Sequence, residues 1–162
     1  MKDIIRVRIK KGIVTQNIPE AEELKKVILK KFGRSLHIRE VDTGSCNACE
    51  SEIIACNNPI YDLQRFGIQF AASPRHADCL LVTGPVTRNM RLALERTYNA
   101  IPAPKFVISL GDCAKDGGIF KDSYYVHNGV SSVLPVTLHI PGCPPDPQTI
   151  ICALLSFLKN LP

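Results

Sequence analysis

The chain has 162 residues, a formal net charge of +5, 45% hydrophobic and 22% charged residues, 6% aromatic residues and no tryptophan. Those proportions describe one soluble globular domain with a full hydrophobic core, and no apolar run approaches the ~20 residues that span a bilayer. The basic excess is mild and interleaved with apolar residues in RVRIKK and KKVILKK, the pattern of a solvated face; with so few aromatics it argues against a nucleic-acid partner.

The N-terminal MKDIIRVRIKKGIVTQ is too charged for a signal-peptide core, which points to the cytosol, and its alternation predicts a short edge strand or arm over residues 1–18. PEAEELKKVILKKFG predicts a helix: Pro19 suits the first turn, acids lead, lysines trail and Gly33 caps. SLHIREV predicts a strand with Leu36, Ile38 and Glu40 on one face, running into the turn VDTGSCNACESEI. A short helix over 49–56 is stopped by NNP, and YDLQRFGIQFAA holds a helical stretch and a short strand. ADCLLVTG reads as a buried strand, and TRNMRLALERTYNA as an amphipathic helix with Met90, Ala93, Leu94 and Thr97 near one face. KFVISLG is a further strand, followed by a long loop over 111–131, and LPVTLHI is another. The last helix, QTIICALLSFLK, follows Pro147 and turns Ile150, Ile151, Leu154, Leu155 and Leu158 toward a core. There is no internal repeat and no linker. Alternating strands and helices predict a single α/β domain, a doubly wound parallel sheet with helices on both faces.

Seven cysteines in a reducing compartment point to metal ligation or thiol chemistry, since an odd count cannot pair fully within one chain. Four of them follow predicted strands: Cys46 and Cys49, Cys113, and Cys143. In a parallel sheet all strand C-termini share one edge, where open α/β folds bind ligands. Each of these loops carries small or rigid neighbours, in TGSCNAC, GDCA and PGCPP, suited to close backbone approach. Cys56, Cys79 and Cys152 fall inside elements and read as small buried hydrophobes. Three chemistries remain open for the loop cysteines. A thioredoxin-like pair uses only Cys46 and Cys49; zinc accepts four thiolates, usually from two close pairs; an iron–sulfur cluster tolerates one pair and two distant singles. Phosphate-loop, dinucleotide and H-E-x-x-H signatures are absent. His37, His127 and His139 are scattered and read as ordinary surface or core residues, whereas His76 stands apart in the SPRHAD loop.

GSCNACESE, SPRHADCLLVTGPVT, GDCAKDGG and PGCPPDP, in this order, resemble the cluster-bearing small subunit of membrane-associated NiFe hydrogenases. That group includes formate hydrogenlyase and the energy-converting hydrogenases, and is related to the 20 kDa-type subunit of respiratory complex I. The likeness covers residues 40–158. It implies a flavodoxin-like fold, with Cys46, Cys49, Cys113 and Cys143 ligating one 4Fe–4S cluster. A cluster-binding α/β domain over 36–162 would follow an N-terminal arm and helix over 1–35. Complex I subunits carry adjacent cysteines in the first motif, so the spaced CNAC favours the hydrogenase-like branch. The stop at Pro162, short of the extension that carries further clusters in larger small subunits, implies one cluster.

The function implied is electron transfer between a ferredoxin-like iron–sulfur subunit and a large NiFe-type catalytic subunit, by an oxidoreductase subunit inert alone. Its place would be the cytoplasmic side of the membrane, held peripherally through partners, with membrane-arm subunits contacted indirectly. Glu50 or Glu52 would relay protons or tune the potential, unless one serves to cap the helix. Arg75 and His76 would meet the partner or raise the potential as cations beside the cluster. The alternatives are a complex I-like dehydrogenase subunit delivering electrons toward quinone and, from another class, a zinc-stabilised binding module.

Overall fold

The computed structural model describes residues 18–161, so the strand or arm expected at the N-terminus lies outside the described residues. Helix α1 (Pro19–Phe32) forms as its sequence dictates: Pro19 starts it, Glu20 and Glu22 sit in the first turn, Lys30 and Lys31 in the last. Gly33 closes it in the left-handed conformation at φ 65°, with its N–H on the Leu29 carbonyl. Strands β1 (Leu36–Asp42), β2 (Ile68–Phe70), β3 (Cys79–Thr83), β4 (Phe106–Leu110) and β5 (Leu138–Ile140) make one all-parallel sheet in the order β2-β1-β3-β4-β5. Helices α2 (Ala48–Cys56), α3 (Arg88–Ala100), α4 (Asp112–Asp116) and α5 (Pro147–Asn160) complete the set.

The sheet separates two cores. Leu36, Ile38, Ile68, Cys79, Leu81, Ile108, Leu110 and Ile140 face α1, α2 and α5, whose Leu24, Ile28, Ile53, Ile151, Leu154 and Leu158 fill the layer. Val41, Leu80, Val82 and Val107 face the other way, against Leu94 of α3 and Ala114 of α4. Residues of β3 are buried along its whole length, which is why its sequence is continuously apolar rather than alternating. The fold is the expected doubly wound α/β sandwich of flavodoxin type.

Three expectations are corrected. Ala93 is exposed, and α3 instead turns Leu94 inward with Met90 and Thr97 half-buried, because a single core contact suffices for a helix so rich in charge. The loop after β4 is not irregular throughout: α4 and two 3-10 turns, Gly118–Phe120 and Val130–Ser132, occupy it, with Gly117 capping α4 by an N–H to the Cys113 carbonyl. Cys152 is exposed, since the face of α5 carrying Ile151, Leu154, Leu155 and Leu158 leaves its position on the outer side. Among the described residues no helix is long and apolar enough to cross a membrane.

Register sets where the loops emerge. Asp42 pairs with Thr83, Thr83 with Leu110, and Leu110 with Ile140, so four strands end level. The cysteine loops all leave from that line.

Candidate functional site

The loop after β1 is organised by Asp42, whose Oδ1 accepts the Gly44 and Ser45 N–H groups at 2.8 and 2.7 Å. Thr43, fully buried, ties this loop to the one after β3: its Oγ1 donates to the Thr83 carbonyl at 2.6 Å and accepts the Val86 N–H at 3.1 Å. The loops after β4 and β5 are tied in the same way. Gly111 N–H donates to the Ile140 carbonyl at 2.8 Å and Asp112 N–H to the Gly142 carbonyl at 2.9 Å. Asp112 Oδ1 accepts the Gly142 N–H in return at 3.1 Å. Two stitched loop pairs thus carry the cysteines, Cys46 and Cys49 on one and Cys113 and Cys143 on the other.

Gly111 joins the two halves. At φ 87° it adopts a backbone that side chains disfavour, and a Cβ there would lie 2.7 Å from Cys49 Sγ and 3.3 Å from the Gly142 carbonyl oxygen. A Cβ on Gly118 would lie 2.9 Å from Cys113 Sγ. The glycines form a cradle that fits closely around sulfur. Cys113 is buried, Cys49 half-buried, and Cys46 and Cys143 are exposed, so the four sulfurs line a pocket edge open on one side.

The four thiols are near enough to feel one another. Burial, then Glu50, Cys113, Cys46 and Cys143, push the Cys49 thiol up to about 12. Burial also raises Cys113, opposed by the Ile119 N–H and reinforced by Cys143 and Cys46. Thiols so placed resist ionising alone and need positive charge among them to become thiolates, as ligands of a metal group do. Among the described residues no set of three or more Cys, His, Asp or Glu is gathered to hold a single metal ion. Tetrahedral zinc brings its sulfurs to about 3.8 Å from one another, given Zn–S near 2.3 Å. A polynuclear cluster spreads its thiolates further, and the donor set of four thiols around a glycine cradle fits such a group.

The remaining candidates separate. Glu50 joins the site: its Oε2 accepts from Ser45 Oγ at 2.7 Å, and its Oε1 is buried without a partner among the described residues. Glu52 is half-buried and acts on Cys56, whose thiol is pushed up to about 12 by burial and then by Glu52 and Asp146. Neither carboxylate caps α2, whose N-cap Asn47 sits at φ 69° with no side-chain cap bond. Arg75 and His76 precede β3 and lie at the opposite edge, in a recess with Arg34, His37 and Asp78. A five-residue strand spans about 16 Å, so the structure does not bring them to the thiols. His37 Nδ1 contacts the His76 carbonyl at 3.0 Å on that same edge. His139 lies on β5, with Nδ1 3.0 Å from Ser109 Oγ, and burial lowers its basicity first, followed by Lys115. Sequence reasoning passed over Asp42, Thr43, Gly111 and Asp112, whose signal was their place immediately at strand ends.

A family model described as NADH ubiquinone oxidoreductase, 20 kDa subunit, matches residues 46–157. The chain is 46% identical over 153 residues to formate hydrogenlyase subunit 7 of Escherichia coli, covering 93% of this chain and 60% of that protein. It is 43% identical over 148 residues to the probable membrane-bound hydrogenase subunit mbhJ of Pyrococcus furiosus, covering 90% of this chain and 89% of the relative. Among solved structures, a chain of the membrane-bound sulfane sulfur reductase, an archaeal respiratory membrane complex, superimposes with a TM-score of 0.68 at 33% identity, over 78% of this chain and 70% of that one.

Proposed function

The chain belongs to the NADH ubiquinone oxidoreductase 20 kDa subunit family, and from that premise we propose that it is the electron-transfer subunit of a membrane-associated, hydrogenase-type oxidoreductase complex. In this reading Cys46, Cys49, Cys113 and Cys143 hold one 4Fe–4S cluster. The observation that carries it is the meeting of four thiols from three loops at one strand edge, around glycines that leave room only for sulfur. Two relatives named as hydrogenase or formate hydrogenlyase subunits support the hydrogenase-type complex over a quinone-directed one.

When bound, the cluster supplies a site that takes up and gives back one electron. The chain's own residues do the rest. Gly111, Gly118 and Gly142 let the backbone close on the sulfurs. Glu50 and, further off, Glu40 and Asp42 set negative charge beside the thiolates, which disfavours an added electron and draws the potential downward.

The open side, with Cys46 and Cys143, is bordered by Ile119, Phe120, Tyr124 and Tyr125, exposed at 77, 37, 80 and 40%. So many large apolar side chains within seven residues mark a surface that a partner covers. We assign that partner as the large catalytic subunit, with a ferredoxin-like subunit as the other electron partner and the membrane reached through the assembly. Alone, the chain would be inert.

The test is iron, sulfide and zinc content, with a visible spectrum, on the anaerobically purified complex. About four irons and four sulfides per chain are expected, with a broad band that bleaches on reduction. Changing any one of the four cysteines to Ala is expected to remove that iron. Zinc without iron sinks the reading, and iron lost only on changing Cys46 or Cys49 points to a pair working alone.

A further inference from the structure

Next to the thiol edge lies a recess of about 400 Å3 between α2, the end of β1 and the end of β2. Ile53, Ile54 and Phe70 form its walls, and Arg39, Glu40 and Glu50 supply its polar groups. Ile54 at the rim is 70% exposed. Glu40 is half-buried and held by a single long contact, Thr83 Oγ1 at 3.4 Å. Its carboxyl is raised above the usual range by burial, then by Glu50 and Asp42. Arg39 is committed elsewhere, its Nη1 donating to the Ala72 carbonyl at 2.8 Å and more weakly to that of Ala71. Its buried Nε and the buried Glu50 Oε1 bond to nothing among the described residues. Three carboxylates, Glu40, Asp42 and Glu50, therefore stand against one guanidinium.

We propose that this recess receives an arginine or lysine side chain of the catalytic subunit that covers the thiol edge, a proposal that rests on the function read above. The charge deficit names the chemistry: a cation restores balance and gives Glu40 and Glu50 charge-assisted hydrogen bonds. The apolar walls suit the alkyl stem of a long basic side chain, with the head reaching the carboxylates. Glu50 belongs both to the recess and to the first cysteine loop, so a protein that seals the thiols also closes the recess. A neutral quinone headgroup would bury the same carboxylates without a countercharge, which is costly.

The experiment uses the whole complex. Glu40→Lys places a cation of the chain's own in the recess, and Glu40→Gln removes the charge at constant shape. The dissociation constant of the catalytic subunit is measured against salt concentration for wild type and both variants, with iron content determined in each. Expected are an affinity for Glu40→Lys about tenfold or more below wild type, a smaller loss for Glu40→Gln, and a flatter salt dependence in both. Reversing one basic residue of the catalytic subunit to Glu is expected to restore binding to Glu40→Lys. Wild-type affinity and salt dependence in iron-replete Glu40→Lys and Glu40→Gln overturn the proposal. So does displacement of a bound short-chain ubiquinone by Glu40→Lys with assembly unchanged. An iron-free wild-type complex defeats the cluster reading instead, and the affinity comparison still decides the recess.

Discussion

At the C-terminal edge of the sheet, four strands end level and pass into glycine, proline and cysteine, with loops tied pairwise through Thr43 and Asp112. At the N-terminal edge the material is different: Arg34 grips Asp78 at 2.6 and 3.0 Å, Asp78 accepts the His37 N–H, and Arg75 and His76 extend outward. One edge is fixed by buried backbone and left short of positive charge; the other is fixed by side chains reaching into solvent and rich in it. The first has no tolerance for added atoms, whereas the second is adjustable. Function follows the rigid edge, because ligands of an inorganic group must be held in place by groups that do not move.

The sharpest way to break that contrast is Gly111→Ala, which sets a methyl 2.7 Å from Cys49 Sγ on a backbone at φ 87°. Most of the bound iron is expected to be lost, read as iron per chain, and wild-type iron would show that the two halves of the site are not held as tightly as described. Next is Thr43→Val, which leaves the Val86 N–H without its acceptor inside the fold. Urea unfolding is expected to show about 1–3 kcal/mol of lost stability, the cost of an unpaired buried group. Asp78→Asn at the far edge should cost at most about 1 kcal/mol, since the Arg34 side chain is half-exposed and surface pairs are weak; iron content stays at wild type. Smallest of all are Arg75→Ala and His76→Ala, expected to leave the cluster's midpoint potential unchanged while Glu50→Gln raises it. A shift on changing Arg75 or His76 would restore the tuning role that their sequence context suggested.

That last pair shows where sequence reasoning strays. Residues after a parallel strand and residues before it lie at opposite edges, yet SPRHAD reads continuously into CLLVT and so invites placement with the cysteine loops. The cysteine loops themselves were legible, because each follows a strand whose apolar run is unmistakable. The packing of α5 was legible from its period, and the same period excludes Cys152 from the core; only its residue type argued otherwise. Thr43 and Asp112 were not legible, since their work is done by bonds to residues 30 or more positions away. Glu40 lay between the two cases. Alternation put it on the face of Leu36 and Ile38, but nothing local shows that α2 and β2 leave a space in front of it.

The uneven exposure of the four sulfurs also sets an order of manufacture. Cys49 and Cys113 lie inside, and Cys46 and Cys143 stand at the surface, so a cargo of metal has one doorway, and that doorway is the surface bordered by Ile119 and Tyr124. Loading therefore belongs to the unassembled chain. Once a neighbouring subunit is seated over that surface, the cargo is sealed in, and a chain that docks empty has lost its opportunity to be filled.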